Sequence, residues 1–408
     1  MIDNCKYHII IIFFLIYLII IPPKQHEANS EKNNFFSKNQ INSNEIFYKG
    51  EKILKEKLIN NYLSQISDDY LSDKEDERNR FNKLYYLASY SNNKITQSLL
   101  KSKFLEEISK MKNQNITQIE TFFLSYNSNF GNGLIAVNNA IFFCEVVGCH
   151  NIILYQNQSG RNWLIKNPIY IDKLNITIKQ GPNIDCKINN ILCIYEISWL
   201  IYYPIVIIPQ IRIHLIKSEI LNNLPIVDIK EDELYIHLRG GDIFQPLPLT
   251  YYAQPPLCFY EKIIKNQNFN KYYIISMDRS NIIVNVLISK YKNIFHRINT
   301  IEYDISLLCH AYYIVASVSS FVFSAIKLND NLKELWEYDI MRLGEKFLFL
   351  HHDIREFNIK YKIHTMKPSN PYISNMFSWK RTPEQIQMML KDNCPNDFII
   401  TKPNIHSY

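Results

Sequence analysis

Apolar and polar positions along the chain follow a pattern that predicts strands and helices in turn from about residue 121 onward. The strand-like TFFLSY (121–126) leads into a glycine-containing turn and then an apolar helix of about 14 residues that stops at Gly148. The strand NIILYQ (151–156) follows. This β–α–β unit favours a parallel sheet, and further strands are predicted at 176–180 and 203–209.

A second run of alternating elements begins at residue 233, where the strand ELYIHLR leads into a glycine turn. The same alternation then predicts a helix at 258–266, a strand at 271–278, helices at 281–292 and 305–314, a strand at 314–320 and a helix at 321–328. Two such halves predict an α/β protein with two Rossmann-like domains, 121–230 and 231–395, that face a cleft. In such folds ligands bind at the carboxyl ends of the strands.

The N-terminal third has a different pattern of apolar and polar residues, which predicts a membrane segment followed by a stem. Residues 9–21 read IIIIFFLIYLIII, a run that would rise about 20 Å as a helix, against a hydrocarbon core of roughly 30 Å. We interpret 1–24 as a cytoplasmic tail with a signal-anchor, because no small-x-small cleavage site follows directly; a cleaved signal peptide is the alternative. Residues 25–120 are polar, with helical periodicity around 50–110, and predict a stem and a helical segment.

Either interpretation of 9–21 sends the remaining chain, as far as the tail at 396–408, into the secretory lumen. Under the signal-anchor interpretation the expected protein is single-pass and type II, in the membrane of the Golgi or endoplasmic reticulum. Asn-x-Ser/Thr triplets occur at Asn115, Asn157 and Asn175 and mark possible glycosylation sites. Seven cysteines follow the apolar run, so at least one stays unpaired if disulfides form; their spacing does not suggest zinc.

Composition adds two limits. With 47% apolar and 21% charged residues among 408, the chain can bury a sizeable core, which excludes wholesale disorder. The sequence has only one long apolar run, which excludes a polytopic membrane protein. A net charge of +6 without a basic stripe gives no argument for nucleic-acid binding. Only nine residues are glycine, so each glycine cluster is informative.

The first candidate site is His237-Leu238-Arg239-Gly240-Gly241-Asp242, where a strand ends. Two adjacent glycines indicate a tight backbone or the close approach of a ligand. The planar, permanently charged fork of Arg239 suits a diphosphate. The alternative is an ordinary strand and turn with a surface arginine.

The second candidate is the segment from Asp304 to Ser320, in which Ser317, Ser319 and Ser320 crowd the end of an apolar strand just before a helix. Hydroxyls and free backbone N–H groups at such a place form an anion site. The alternatives are a simple serine N-cap and, for Asp304, the cap of the helix predicted at 305–314. A third, weaker strand end is Ser276-Met277-Asp278.

These segments carry a resemblance to a known superfamily. IHLRGGDIF resembles the H-x-R-R-G-D-Y signature of the α1,2-fucosyltransferases, which the α1,6- and protein O-fucosyltransferases share more loosely. LLCHAYYIVASVSSFVFSAI resembles their second signature, and IISMD resembles a strand ending in Ser-Asp-Asp. FGNGLIAVNNAIFFCEVVGCHNIIL is similar to their N-terminal G-x-G-N helix and following strand. The order of all four agrees over about 125–330, roughly half of the chain.

The resemblance implies a GT-B enzyme that takes GDP-fucose as donor substrate, needs no metal or other cofactor, and modifies a glycan or glycoprotein acceptor. Under it, His237 would meet the guanine-nucleotide side, Arg239 the β-phosphate, and Asp304 the guanine N1 and N2 groups. Ser319 and Ser320 would hold the diphosphate. Residues that share the donor site in this interpretation are Gly131, Asn132, Gly240, Gly241 and Ser317.

Departures from the family pattern keep alternatives open. Gly240 stands where the signature has its second arginine, and Met277 replaces the first Asp of Ser-Asp-Asp. A different nucleotide-sugar donor, or an inactive nucleotide- or glycan-binding membrane protein of the same fold, would also fit. Catalysis would rest on Arg239 with either Asp242 or Asp278 as general base, and the sequence does not decide between these two. The segment QPPLCFY (254–260) has no assigned counterpart.

Overall fold

The structure is a computed structural model that describes residues 94–125, 130–155, 165–188, 190–193, 212–244, 249–250, 254–339, 360–376 and 378–401. All of them belong to one compact unit of the chain, Leu58–Tyr408. The apolar run at 9–21 and the strand predicted at 203–209 lie outside the described residues. Among the described helices, none combines the length and the apolar character needed to cross a membrane.

The first sheet confirms the predicted β–α–β unit. Helix α1 (Lys94–Lys112) precedes it and falls within the segment of expected helical periodicity. The elements of the sheet are β1 (Thr121–Ser125), α2 (Phe130–Val147), β2 (Asn151–Tyr155), β3 (Ile169–Ile171), β4 (Ile176–Gly181) and β5 (Ile191–Cys193). The spatial order is β3-β4-β2-β1-β5, and only β3 is antiparallel to its neighbour. The first sheet is followed by a 3-10 turn (Ile213–Ile216) and α3 (Lys217–Asn222).

The second half alternates strands and helices as predicted. Its elements are β6 (Glu233–His237), β7 (Leu249–Thr250), α4 (Leu257–Asn266), β8 (Lys271–Ile275), α5 (Ile282–Lys290), β9 (Ile294–His296), α6 (Ile301–His310), β10 (Tyr313–Ala316), α7 (Ser320–Lys327), β11 (Glu334–Tyr338), β12 (Lys362–Met366), α8 (Asn370–Met376), β13 (Ser378–Trp379), α9 (Pro383–Lys391) and β14 (Phe398–Thr401). The protein is therefore mixed α/β with parallel sheets, as expected.

The seven strands of the second sheet lie in the order β14-β12-β11-β10-β6-β8-β9, and all but β14 are parallel. Numbered along the chain, the six parallel strands run 3-2-1-4-5-6 across the sheet, which is the order of doubly wound nucleotide-binding sheets. The order reverses between β6 and β10. Ligands of such sheets bind beyond the carboxyl ends of the strands at this reversal.

Several boundaries differ from the prediction, and two of them lie in the candidate site segments. The helix expected at 305–314 is α6, which begins four residues earlier because the side chain of Thr300 accepts a hydrogen bond from Tyr303 N at 3.3 Å and caps the helix there. The glycines expected in a turn before the first helix, Gly131 and Gly133, lie inside α2.

Apolar side chains from both sheets share one core. The larger cluster includes Phe122 and Ile152 of the first sheet together with Leu308, Ile314 and Phe323 of the second half. Helix α2 packs against α7 across this core. Both halves contribute side chains to the same cluster. The division into two domains at 230/231 therefore stays a prediction.

Candidate functional site

The reversal point of the second sheet is marked by a hydrogen bond between the two main sequence motifs. His237 ends β6, Ser317 directly follows β10, and His237 Nδ1 lies 2.7 Å from Ser317 Oγ. Both side chains are buried, with His237 only 5% exposed. The structure thus joins the HLRGGD segment and the serine segment at the place where the topology favours a ligand.

The imidazole of His237 is held in a neutral state. Its ring stacks on that of Phe321 with 5.5 Å between the centroids and 24° between the planes. Burial lowers the pKa of His237 to about 3, and the positive charge of Arg239 acts in the same direction. A neutral ring of this kind exchanges one hydrogen bond with Ser317 and does not supply positive charge to an anion.

Arg239 is half-buried and follows β6 by two residues. Its carbonyl oxygen accepts a hydrogen bond from Asn281 Nδ2 at 3.1 Å, so the backbone at Arg239 is tied to the segment after β8. The positive charge of its guanidinium contributes to the lowered pKa of His237.

Neighbouring atoms lie close to where a Cβ would be at Gly240 and at Gly241. A Cβ on Gly240 would lie 2.6 Å from Asp278 Oδ1 and 3.1 Å from Ser276 Oγ. Gly241 has a φ of +63°, and a Cβ there would lie 2.5 Å from Met277 Sδ. A side chain at position 240 would therefore require the side chains of Asp278 and its neighbours to move.

Asp278 accepts hydrogen bonds within this loop. Its Oδ1 accepts from Ser280 N at 2.9 Å, Ser280 Oγ at 2.6 Å and Gly241 N at 3.2 Å. Burial raises the pKa of Asp278, but the hydrogen bonds from Ser280 and Gly241 outweigh it, so the pKa is lowered from its usual value. The backbone of Asp242 lies in the 3-10 turn Gly241–Phe244; its side chain lies outside what the structure describes.

The serine segment forms the start of α7. Ser319 is the N-cap, and its side chain accepts a hydrogen bond from Phe321 N at 3.3 Å. Ser320 is the first residue of the helix and is half-buried. The N-cap alternative for Ser319 is thus confirmed, and the cap places the first N–H groups of α7 beside Ser317.

The start of α2 meets the start of α7. A Cβ on Gly131 would overlap the carbonyl carbon of Ser320 and lie 2.5 Å from Phe321 N. Ser324 Oγ donates to Gly131 O at 3.0 Å, and the rings of Phe130 and Phe321 pack edge to face at 5.7 Å. Two helix N-termini, each with a partial positive charge, therefore converge at this place. The side chain of Asn132 is outside the described part.

Asp304 is a buried carboxyl in the first turn of α6. It is 6% exposed, and its Oδ1 accepts from Asn299 Nδ2 at 2.9 Å. Burial raises the pKa of Asp304 to about 6, while the hydrogen bond from Asn299 acts in the opposite direction. The alternative that Asp304 caps the helix is wrong, because Thr300 is the N-cap. Helix α6, which carries Asp304, packs against α7. The hydrogen bond of the Asp304 side chain is with Asn299 and not with a residue of the His237–Ser317 site.

The cysteines form three disulfides in the described part of the chain: Cys144–Cys149, Cys186–Cys193 and Cys258–Cys394. Cys309 stays free and buried, as the odd count predicted, and burial raises the pKa of its thiol to about 12, which makes it a poor nucleophile. Cys258, Asp392 and Cys394 have ligand atoms within 4.8 Å of one another. The two sulfurs are bonded to each other, so they are not available as thiolate ligands.

Two residues of this region were not singled out from the sequence. Phe321 stacks on His237, and Asn281 is fully buried and binds the backbone of Arg239. Asn281 stands directly before the apolar run of α5, which is typical of an N-cap. Its contact with Arg239 depends on the tertiary structure.

Comparison of the chain with models of known protein families, with curated proteins and with solved structures found no match in any of the three.

Proposed function

We propose that the protein is an inverting glycosyltransferase that uses GDP-fucose and acts on a glycan or glycoprotein in the secretory pathway. The observation that carries the proposal is the 2.7 Å hydrogen bond between His237 and Ser317. It joins, at the reversal point of a 3-2-1-4-5-6 sheet, the two segments that resemble the fucosyltransferase signatures. A chance resemblance of two separate segments gives no reason for them to meet at a ligand-binding edge.

In the proposed reaction, an acceptor hydroxyl attacks the anomeric carbon of the sugar while the bond from that carbon to the β-phosphate oxygen breaks. GDP leaves with the electron pair, and a base takes the hydroxyl proton. The site must then stabilise the charge that develops on the departing diphosphate. Arg239, the hydroxyls of Ser319 and Ser320, and the N-termini of α2 and α7 near Gly131 would supply that stabilisation without a metal.

His237 has a structural part in this proposal. Being 5% exposed and neutral, it would hold Ser317 and Phe321 in place beneath the nucleotide. Asp304 would pair with guanine, whose N1–H and 2-amino group form a two-donor edge. Asp242 is the preferred base, because the lowered pKa of Asp278 makes that carboxylate a weak proton acceptor.

The proposal includes a GT-B arrangement and a lumenal location. Three disulfides in the described residues favour an oxidising compartment. Asn115 and Asn175, two of the three triplet asparagines, are exposed and so accessible to glycosylation. Protease treatment of sealed microsomes tests this part: protection of the bulk of the chain supports it, and digestion refutes it.

Calorimetry of the full chain in detergent with GDP, UDP and CMP tests the nucleotide, and release of free sugar from a panel of nucleotide-sugars tests the donor. We expect GDP to bind at least tenfold more tightly than UDP or CMP, a difference of about 1.4 kcal/mol. Preference for UDP would instead support a transferase with another donor. GDP binding without turnover of any donor would support an inactive binding protein, and no nucleotide binding would overturn the proposal.

A further inference from the structure

The backbone from Arg239 to Gly241 is held by the segment that follows β8. Gly241 N donates to Ser280 Oγ at 2.7 Å and to Asp278 Oδ1 at 3.2 Å. Asn281 Nδ2 donates to the carbonyl oxygen of Arg239 at 3.1 Å. The carbonyl group of Arg239 and the N–H of Gly241, which flank Gly240, are thus both hydrogen-bonded to this segment.

Asn281 uses both ends of its amide. Its Oδ1 accepts from Ile283 N at 3.1 Å and caps α5, while its Nδ2 binds Arg239 O. The side chain is fully buried. A serine or aspartate would cap the helix equally well, but neither offers an N–H donor, so the cap alone does not require asparagine.

Asp278 complements Asn281. Its Oδ1 accepts three hydrogen bonds, two from Ser280 and one from Gly241 N. The same oxygen lies against the place where a Cβ of Gly240 would be. Its contacts therefore fix the glycine turn through Oδ1.

We infer that Asp278 and Asn281 are positioning residues that fix the backbone of Arg239, so that its guanidinium is aimed at the departing diphosphate before the reaction begins. The inference rests on the proposed function and deepens it. Gly240 stands where the signature that the chain resembles has its second arginine, so that cation is missing at position 240. A single cation stabilises a transition state best when its direction is set in advance.

Two substitutions with a matched control test the inference. Asn281→Ser keeps an oxygen for the helix cap and removes the Nδ2 group that donates to Arg239 O. Asn329→Ser is the control, because Asn329 is also buried, donates from Nδ2 to Leu308 O and Ala311 O, and accepts Asn331 N on Oδ1. We expect Asn281→Ser to lower kcat for the donor by about 10–100-fold with less than a threefold change in KM, and Asn329→Ser to lower only the melting temperature.

Asp278 is tested by a pair of changes. Asp278→Ala removes the acceptor and should lower kcat by about 100-fold, while Asp278→Asn keeps an acceptor oxygen and should recover most of that loss. A general base would behave differently, since Asn cannot take a proton, and both variants would lose about 100-fold or more. Equal loss in the two variants overturns the positioning role of Asp278.

Hydrogen exchange read by mass spectrometry separates this inference from the proposed function, because it needs no turnover. Exchange in the peptide that spans 238–244 should rise about tenfold or more in Asn281→Ser and Asp278→Ala and stay unchanged in Asn329→Ser. Unchanged exchange in all three overturns the inference. If the wild-type chain binds no nucleotide, the proposed function fails, and the exchange measurement still decides whether these residues fix the Arg239 backbone.

Discussion

Replacing Asp304 by asparagine should stabilise the ligand-free protein at neutral pH while it removes the recognition of guanine. Burial raises the pKa of Asp304 from 3.8 to about 6, a difference of about two pH units. At about 1.36 kcal/mol per unit, ionising this carboxyl in the folded protein costs up to about 3 kcal/mol. The substituted amide would keep an oxygen that accepts from Asn299 and would carry no charge.

The direction in which stability changes with pH follows from the linkage between protonation and folding. A carboxyl whose pKa is raised on folding favours the folded state fully below pH 3.8, and this contribution is lost as the pH rises through about 6. Asp304→Asn should therefore raise the melting temperature at pH 7.5 by about 5 °C and leave it nearly unchanged at pH 3.5. Glu302→Gln, on the same helical turn and half-buried, is the control.

The affinity for GDP should change with pH in the opposite direction and rise as the pH rises. Asp304 must be ionised to accept the two N–H groups of guanine, so wild-type affinity for GDP should fall about tenfold from pH 7 to pH 5. At pH 5 binding should release about 0.9 proton, because only about a tenth of the carboxyl is ionised there. Scanning calorimetry and titration in buffers of different ionisation enthalpy measure both effects. A variant that is less stable at pH 7.5, or equally stabilised at pH 3.5 and 7.5, would refute the reasoning.

Three further outcomes are expected. Arg239→Lys keeps the charge but loses the planar fork, so kcat for the donor should fall by about 100-fold or more, and turnover near the wild-type rate would contradict its role. Gly131→Ala places a Cβ against backbone atoms and should cost about 2–3 kcal/mol in denaturant unfolding. Gly181→Ala, whose Cβ meets only a side chain, is the control. Equal costs in the two variants would argue against the close contact of α2 and α7. Replacing both Cys258 and Cys394 by Ser removes a bridge across 136 residues and should cost up to about 5 kcal/mol; an unchanged melting temperature would show that the bridge does not constrain the unfolded chain.

Much of the local structure could be predicted from the sequence, because strands covered on both faces are near-continuous apolar runs. The runs that begin at Thr121, Glu233 and Lys271 are strands, and the helix expected at 321–328 differs from α7 by one residue at each end. These signals depend only on residues close in the chain.

Boundaries were wrong where an apolar run crosses two elements or a glycine has a packing role. The run from Ile305 onward includes the end of α6 and all of β10, and the cap at Thr300 was not recognised. Gly131 was interpreted as part of a turn, but it lies in α2, where the backbone of Ser320 excludes a side chain.

The site itself depends on contacts distant in the chain. His237 and Ser317 are 80 residues apart, and only the strand order brings them together. Asn281 could be predicted as a helix cap, whereas its bond to Arg239 requires β6 and β8 to be neighbours. A resemblance of motifs can indicate that such residues belong to one site, but it gives neither their order in the sheet nor their hydrogen bonds.

The Cys258–Cys394 disulfide has a consequence for how the protein is made. At about 5–20 residues per second, a ribosome needs roughly 7–27 s to add the 136 residues that separate the two cysteines. Cys144–Cys149 and Cys186–Cys193 span five and seven residues, so each can close as soon as it emerges. Cys258 must wait as a reactive thiol until nearly the whole chain has been synthesised. In the oxidising compartment proposed above, any wrong partner that Cys258 acquires during that interval would have to be replaced by Cys394 through thiol–disulfide exchange.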